Sequence, residues 1–600
     1  MQKSRHLITS AIPYVNGVKH LGNLIGSMLP ADVYARFRRQ QGHETLFICG
    51  TDDHGTPVEI AAAKEKTPVT EFVAHWHAFQ ENVYRNFGLS FDWFGSSSRP
   101  QNHALTQHFA QKLHESGLLD VKTEKMLYSK ADGRFLPDRY VEGECPHCHY
   151  GKARGDQCEN CGRVLDPTDL INPRSAISGS TELEVRETKH LHFRQSDPAL
   201  LEKLTAWIES HTEWPLLSKS IALKWLAEGL QDRGITRDIQ WGVPVPVETF
   251  GEEFRGKVFY VWFDAPIAYI AATRELTDSR GEPDSAWQSW WREDKGASNV
   301  TYTEFMGKDN VYFHTVSFPA TLLGSNEPWK KVDSLKSFNW LTYYGGKFST
   351  SQGIGIFTDT ALELLPADLW RYYLLSRAPE SDDSSFTWTD LQAVVNKDLA
   401  DVLGNFVNRT LQLTHKHFGA QVPQAGEWTE AEHALAGRLQ TLVERLTTHL
   451  ENAEMRKSVE SLREIWVIGN EYLAAQEPWK VIKTDKTRAA TILNVAVNLI
   501  PFYARLMAPV IPFTASTLMH AFHSDVISGT QNLSARPHTP HPLNTQSPTL
   551  NTAWCWPTEV KKSLREIPAG APFLIPSVLF TKIPDEQVQE WESRFGNQKA

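Results

Sequence analysis

Apolar positions open the chain with a short extended run. His6 to Ile12 is mostly apolar and predicts a strand, Pro13 to Gly17 a turn, and Leu21 to Arg39 a helix. Pro30 lies inside that helix and predicts a kink, because proline removes one backbone donor. A second apolar run, Thr45 to Cys49, ends in Gly50, Thr51, Asp52, Asp53, His54 and Gly55. Strand, helix, strand in this order predicts a parallel α/β sheet, whose ligands lie beyond the carboxyl ends of the strands. Both polar loops fall there. Strand-like runs return at Val258 to Phe263 and at Thr301 to Met306.

From about residue 389 the pattern changes to long helices. Leu435, Leu439, Leu442, Leu446 and Leu450 form one stripe at helical spacing, and Thr429 and Glu432 are spaced as a capping box ahead of it. The stripe reads as bundle core and carries no chemistry by itself. Residues 523–554 are rich in Ser, Thr, Asn, Pro and His and predict a long surface loop. The tail beyond Lys562 is expected to fold back on the body through its apolar run Phe573 to Phe580. The expected division is a catalytic first half at 1–117, a connective insertion at 118–235, a catalytic second half at 236–325, a mobile-loop junction at 326–388, a helical domain at 389–522, and loop plus tail at 523–600.

Length and composition agree. Six hundred residues exceed one hydrophobic core, and 41% hydrophobic with 22% charged residues is the composition of a globular enzyme. No apolar run approaches the roughly 18–20 residues of a membrane span, and Met1 to Ser10 lacks a signal-like apolar stretch, so a cytoplasmic location is expected. The net charge of −10 excludes a generic nucleic-acid coat but not a local RNA-binding surface.

Four of the six cysteines fall in one window, as Cys145-x-x-Cys148 and Cys158-x-x-Cys161. Two such knuckles match one tetrahedral zinc ion held by four thiolates, with no position left for water, hence structural. His147 and His149 are competing ligands, the paired cysteines being the simpler set.

His20-Leu21-Gly22-Asn23 opens the first helix, where unpaired backbone donors suit phosphate. Far downstream, Gly345-Gly346-Lys347-Phe348-Ser349-Thr350-Ser351-Gln352-Gly353 describes a polar loop with a lysine able to reach an anion. Together they resemble the paired H-I-G-H and K-M-S-K-S signatures of class I aminoacyl-tRNA synthetases, in that family's order. The resemblance implies a Rossmann-like catalytic domain, with His20, Asn23, Lys347 and Thr350 in the catalytic positions and His20, Gly22, Asn23, Lys347, Ser349 and Ser351 around ATP and its Mg²⁺. Asn23 stands where the family has a second histidine. Thr350 stands where it has a second lysine, which withdraws a positive charge and requires Lys347 or another cation to carry more of the load.

Ala11 to Gly17, Asp232 to Asp238, Tyr260 to Tyr269 and Gly307 to His314 are similar to segments of methionyl-tRNA synthetases. A methionine side chain calls for a flexible apolar slot with aromatic walls. Trp262, Tyr269 and Phe313 are expected to build it, with Ile12, Tyr14, Ala265 and Pro266 completing it, His314 or Tyr269 at the thioether, and Asp52 at the ammonium group. The insertion is small beside the editing domains of the valine, isoleucine and leucine enzymes, so some proofreading in the active site itself is implied. The helical region is similar to the anticodon-binding bundle of the same family, which implies recognition of initiator and elongator tRNA for methionine through Asn405, Arg409 and Trp479. Some members of the family carry a further carboxyl-terminal domain that dimerises them; none is expected here, so a monomer is expected. The alternatives are a tRNA-binding relic without activation activity, a class I synthetase for another amino acid such as cysteine, and a zinc-knuckle RNA-binding protein.

Overall fold

The computed structural model describes residues 3–596 except 156–157, 159, 162, 164, 350–352 and 523–553. The surface loop expected at 523–554 thus lies almost wholly outside the described residues, as do Thr350 and Ser351.

Five parallel strands form the central sheet: β1 (Arg5–Ser10), β2 (Glu44–Thr51), β3 (Trp93–Ser96), β4 (Val300–Gly307) and β5 (Ser334–Phe338). Their spatial order is β5-β4-β1-β2-β3. The chain leaves β1 toward β2 and β3 on one side and returns to β4 and β5 on the other. The reversal sits between β1 and β4, the place beyond the carboxyl ends of the strands where open parallel sheets of this kind take their ligands. β1 is fully buried from His6 to Ser10, as a central parallel strand must be.

The first helix enters as Leu21–Asn23, widens to a π turn at Leu24–Met28, and continues as Leu29–Gln40. Pro30 lies at the start of the last segment, so its missing donor is absorbed by the wider turn instead of a sharp kink. The same arrangement recurs at Phe313–Ser317, followed by Phe318–Gly324 with Pro319 near its start. The extended run expected at Val258 to Phe263 is strand only at Val258–Phe259. Past Tyr260 the backbone turns helical at Val261–Asp264, closed by Phe263 N–H donating to Tyr260 C=O at 2.8 Å. A short apolar run does not distinguish the two conformations; the tertiary setting does.

The insertion leaves and re-enters on two antiparallel arms, Leu119–Ser129 and Leu183–Phe193, paired along their full length. The three short strands Val141–Glu144, Ala153–Arg154 and Ile171–Ser175 carry the cysteine knuckles. Helices Pro198–Ser210 and Leu216–Glu228 bury Leu200, Leu204, Ile208 and Ala222 in the same apolar core as the sheet.

Helices Asn405–Phe418, Glu430–Glu451, Met455–Gln476 and Lys486–Met507 form the bundle. The five leucines of the stripe are all buried, and the Thr429–Glu432 capping box is formed on both sides. Lys486–Met507 is long and apolar enough to cross a membrane by length and composition, which the linear pattern does not anticipate; here it is packed on every side. Its polar residues find partners inside the protein, Asn494 donating to Pro423 C=O at 2.8 Å and Asn498 accepting from Ile567 N–H at 2.7 Å. The tail packs back: Trp556, Phe573, Phe580, Val588 and Trp591 are buried, and Trp591 lies 4.8 Å from Trp388 between ring centres.

Candidate active site

Three strand ends meet at the crevice. The loop after β1 is tied to the end of β2, because Val15 N–H donates to Asp52 C=O at 2.9 Å and Asp52 N–H donates to Pro13 C=O at 2.8 Å. Asp52 is 6% exposed, and its Oδ1 has no partner among the described residues. Burial first, then the Asp264 and Asp53 carboxylates, push its pKa well up. A positive charge placed beside it would offset all three penalties.

Asp53 and His54 follow on the same turn and are anchored separately. Asp53 Oδ2 accepts from Ser98 N–H and Oγ at 3.1 and 2.9 Å. His54 Nδ1 lies 2.7 Å from Asp264 Oδ2, which also accepts from Asn102 Nδ2 at 3.2 Å. Asp264 closes the short helix carrying Trp262, so this buried pair clamps that helix to the end of β2.

The expected methionine residues gather in one place. Trp262, 43% exposed, packs on Phe313 with ring centres 5.1 Å apart and donates its indole N–H to Tyr14 OH at 3.1 Å. Ala265 and Pro266 follow on the next turn, Pro266 buried, and Ile12 packs against both large cores. Behind them Tyr269 OH lies 3.0 Å from His314 Nε2, both side chains buried. His314 Nδ1 lies 2.8 Å from Asn310 C=O, which can only accept, so Nδ1 carries the proton. Burial lowers the His314 pKa to about 4, leaving a neutral ring whose Nε2 accepts from Tyr269. The π turn Phe313–Ser317 sets this histidine against the slot.

The two nucleotide motifs, more than 300 residues apart, lie side by side. Thr358 N–H donates to Lys19 C=O at 2.8 Å and Leu21 N–H to Ile356 C=O at 3.0 Å. The His20 ring stacks on Phe348, centres 4.8 Å apart. A Cβ at Gly22 would sit 3.0 Å from His20 Nδ1, so any larger residue would have to push the ring aside by a few tenths of an ångström. Asn23 Oδ1 accepts from His20 N–H at 3.2 Å, so its acceptor end caps the helix and its amide N–H₂ remains the donor. Burial, then Lys19, lowers the His20 pKa to about 4, so the ring is neutral at physiological pH. Ser349 pairs with Ile354 through two backbone hydrogen bonds of 3.1 and 2.9 Å, closing the loop base. Lys347 is exposed and holds its Nζ 4.5 Å from the Trp340 ring centre, the same ring that Lys308 Nζ approaches at 4.1 Å.

The four cysteine sulfurs lie within 4.8 Å of one another and can hold one metal ion. His149 Nδ1 lies 2.7 Å from Glu144 and His147 Nδ1 lies 3.1 Å from Arg163, and neither ring belongs to the clustered set of four sulfurs. In the bundle, Arg409 sets its guanidinium 5.2 Å from the Trp479 ring centre, with Asn405 and Arg409 exposed one turn apart.

Sequence reading missed Lys19, the His54–Asp264–Asn102 cluster and Trp340. A lysine beside His20 and an aspartate closing Tyr260 to Asp264 were legible as signals. The pairing of His54 with Asp264, 210 positions apart, was not.

The description "tRNA synthetases class I (M)" matches residues 6–411, and "Anticodon binding domain of methionyl tRNA ligase" matches 422–536 and 527–600. A methionine–tRNA ligase of Ruegeria sp. (strain TM1040) is 56% identical over 600 residues, covering 100% of both chains. One of Paracoccus denitrificans is 56% identical over 598 residues, covering 99% of both. A solved Mycobacterium tuberculosis methionyl-tRNA synthetase in complex with methionyl-adenylate is similar in fold, with TM-score 0.71 at 24% identity, covering 96% of this chain and 99% of that one.

Proposed function

The chain belongs to the class I tRNA synthetases for methionine, and we infer from that membership that it is a methionine–tRNA ligase. It activates methionine with ATP to methionyl-adenylate and transfers methionyl to the 3′ end of tRNA. The observation that carries the reading is the convergence of Asp52, the Tyr269–His314 pair and the His20 motif on one crevice between β1 and β4.

In the roles we propose, Asp52 receives the ammonium group of methionine. Trp262, Phe313, Tyr269, Ile12, Ala265 and Pro266 enclose the side chain, with Tyr14 fixing the indole of Trp262 and the Tyr269–His314 pair at the thioether. The methionine carboxylate attacks the α-phosphate of ATP and pyrophosphate leaves. Catalysis is then positioning and charge stabilisation. His20, Gly22 and Asn23 at the helix start, with Lys347 and Ser349 from the loop, surround the phosphates; Thr350 and Ser351 belong to the same motif. Mg²⁺ bound with ATP neutralises phosphate charge. The four cysteines hold one structural zinc ion, consistent with free thiols clustered in a closed set. Asn405, Arg409 and Trp479 read the anticodon of initiator and elongator tRNA for methionine, and the enzyme works as a cytoplasmic monomer.

Amino-acid-dependent exchange of pyrophosphate into ATP tests the reading. Exchange driven by methionine alone is expected across the twenty amino acids. No exchange in a folded, zinc-loaded sample would leave a tRNA-binding relic, and exchange with another amino acid would move the specificity.

A further inference from the structure

Lys19 is 8% exposed, a depth at which lysine is rare unless paired. Among the described residues its ammonium makes one hydrogen bond, 2.9 Å to Asn16 Oδ1, and no ion pair. A buried cation with a single neutral partner is costly, and an arriving anion removes the cost. Its position says which anion. Lys19 directly precedes His20, and its own carbonyl is held by Thr358 N–H at 2.8 Å, so its backbone is fixed between the two nucleotide motifs. His20 leads into the helix Leu21–Asn23, and the Lys19 charge, after burial, helps to lower the His20 pKa. Burial lowers Lys19 itself to about 8, against an opposing pull from Asp52. Lys19 therefore lies within the field of the Asp52 carboxylate, while its backbone adjoins the His20 helix start and the downstream motif.

We propose that Lys19 is a catalytic cation of the activation step, supplying through its ammonium the positive charge that the loop motif lacks at Thr350. The assignment rests on the activation reading above. In that step the methionine carboxylate oxygen forms a bond to the α-phosphorus. The bond from that phosphorus to the oxygen bridging to the β-phosphate breaks, and pyrophosphate leaves with the oxygen and its electron pair. Negative charge grows on the non-bridging α-phosphate oxygens and on the departing oxygen. Lys19 keeps its proton throughout and acts by charge and hydrogen bonding, with Asn16 Oδ1 orienting one of its three N–H groups and two remaining for phosphate oxygens.

The test is Lys19→Met, which keeps the length and apolar stem, beside Lys19→Arg, which restores a cation. Methionine-dependent pyrophosphate exchange gives kcat and the KM for ATP, and equilibrium dialysis with methionine gives its Kd. The expected result is a loss in kcat of about 100-fold in Lys19→Met, with methionine Kd changed by no more than roughly twofold, and partial recovery of kcat in Lys19→Arg. Unchanged exchange in Lys19→Met overturns the assignment. So does a parallel loss of methionine binding, which would make Lys19 a brace for the Asn16 loop, or a Lys19→Arg enzyme no faster than Lys19→Met. Absence of exchange in the unsubstituted protein would remove the activation reading and this assignment with it; exchange there together with any of the three overturning results removes the assignment alone.

Discussion

His314 is a histidine that stays neutral through the physiological range. Its Nδ1 proton is committed to Asn310, its Nε2 accepts from Tyr269, and burial holds its pKa near 4. Methionine affinity measured from about pH 5.5 to about 8 should therefore show no inflection near 6.5; an inflection there would mean that His314 charges in the bound state. Tyr269→Phe keeps the ring and deletes the donor, leaving Nε2 buried and unpaired at a cost of about 1–3 kcal/mol. Methionine KM should rise by roughly tenfold or more, and an unchanged KM would separate the pair from recognition. Lys347 differs in kind, being exposed and held on the Trp340 ring, away from any deep partner. Lys347→Ala should slow adenylate formation in rapid quench and leave methionine Kd alone; unaltered activation kinetics would take Lys347 out of the step.

Elements here owe their form to a few anchored side chains. The helix Glu430–Glu451 begins at a capping box whose glutamate does more than cap. Glu432 is fully buried, receives Arg488 at 2.7 and 2.8 Å and Tyr472 OH at 2.5 Å. Burial would raise its pKa, but Arg488, Tyr472 and Thr429 outweigh it and hold the carboxyl at about 2. Glu432→Ala strands Arg488 and opens the cap, and should destabilise the helical half by about 3–5 kcal/mol, as expected for breaking a buried pair from one side. Denaturant titration followed by far-UV circular dichroism reads this, and a shift under about 1 kcal/mol would reduce Glu432 to an ordinary cap. In the turn between Met455–Gln476 and Lys486–Met507, Trp479 carries the Arg409 guanidinium on its ring. Trp479→Ala should weaken tRNA charging by the worth of one stacked base, about 1–3 kcal/mol, with methionine activation intact. Equal loss of both steps would mark a folding defect.

At the scale of the molecule, one buried charge cluster joins the sheet domain to the bundle. Arg371, with no exposed surface, donates to Asp32 at 2.7 Å, to Pro509 and Val510 carbonyls at 2.8 Å, and to Phe87 C=O at 3.2 Å. Asp32 is held at about 2 because Arg36 and Arg371 overcome its burial. Acid stability is also a property of the whole chain. His6 lies near 3, and His20, His103 and His314 near 4, each lowered first by burial. Unfolded, each titrates near 6.5. The folded state binds protons less readily, so their contribution is complete above about pH 6.5 and is lost as pH falls toward 4. Glu432 and Asp32, lowered carboxyls, hold theirs until pH falls below about 4.5 and lose it on the way to 2. Buried Glu304 and Glu275, raised to about 8 and about 7 first by burial, act in the opposite sense, because the folded state takes up their protons first. The histidine share is therefore read by difference: His103→Gln removes one lowered ring, and its thermal midpoint should fall less between about pH 7.5 and 5 than that of the unsubstituted protein. An identical pH dependence in the two proteins would show that the buried His103 ring contributes nothing to it.

Local pattern determined a good deal by itself. The alternation of apolar strands and helices sufficed for a parallel α/β sheet with polar loops at its carboxyl edge, the leucine spacing for the bundle, and the cysteine spacing for the sulfur cluster, because each depends on neighbours within a few residues. What only tertiary structure decided depends on residues far apart. Val258 to Phe263 broke into a bridge and a helical turn because Asp264 is claimed by His54 and Asn102. The helix Lys486–Met507 is membrane-like in composition, yet its asparagines are satisfied by Pro423 and Ile567 inside the protein. Lys19 looks like an ordinary surface lysine until the fold buries it with one neutral partner beside His20. Burial and the identity of distant partners set both pKa and cost, and neither is a property of the linear chain.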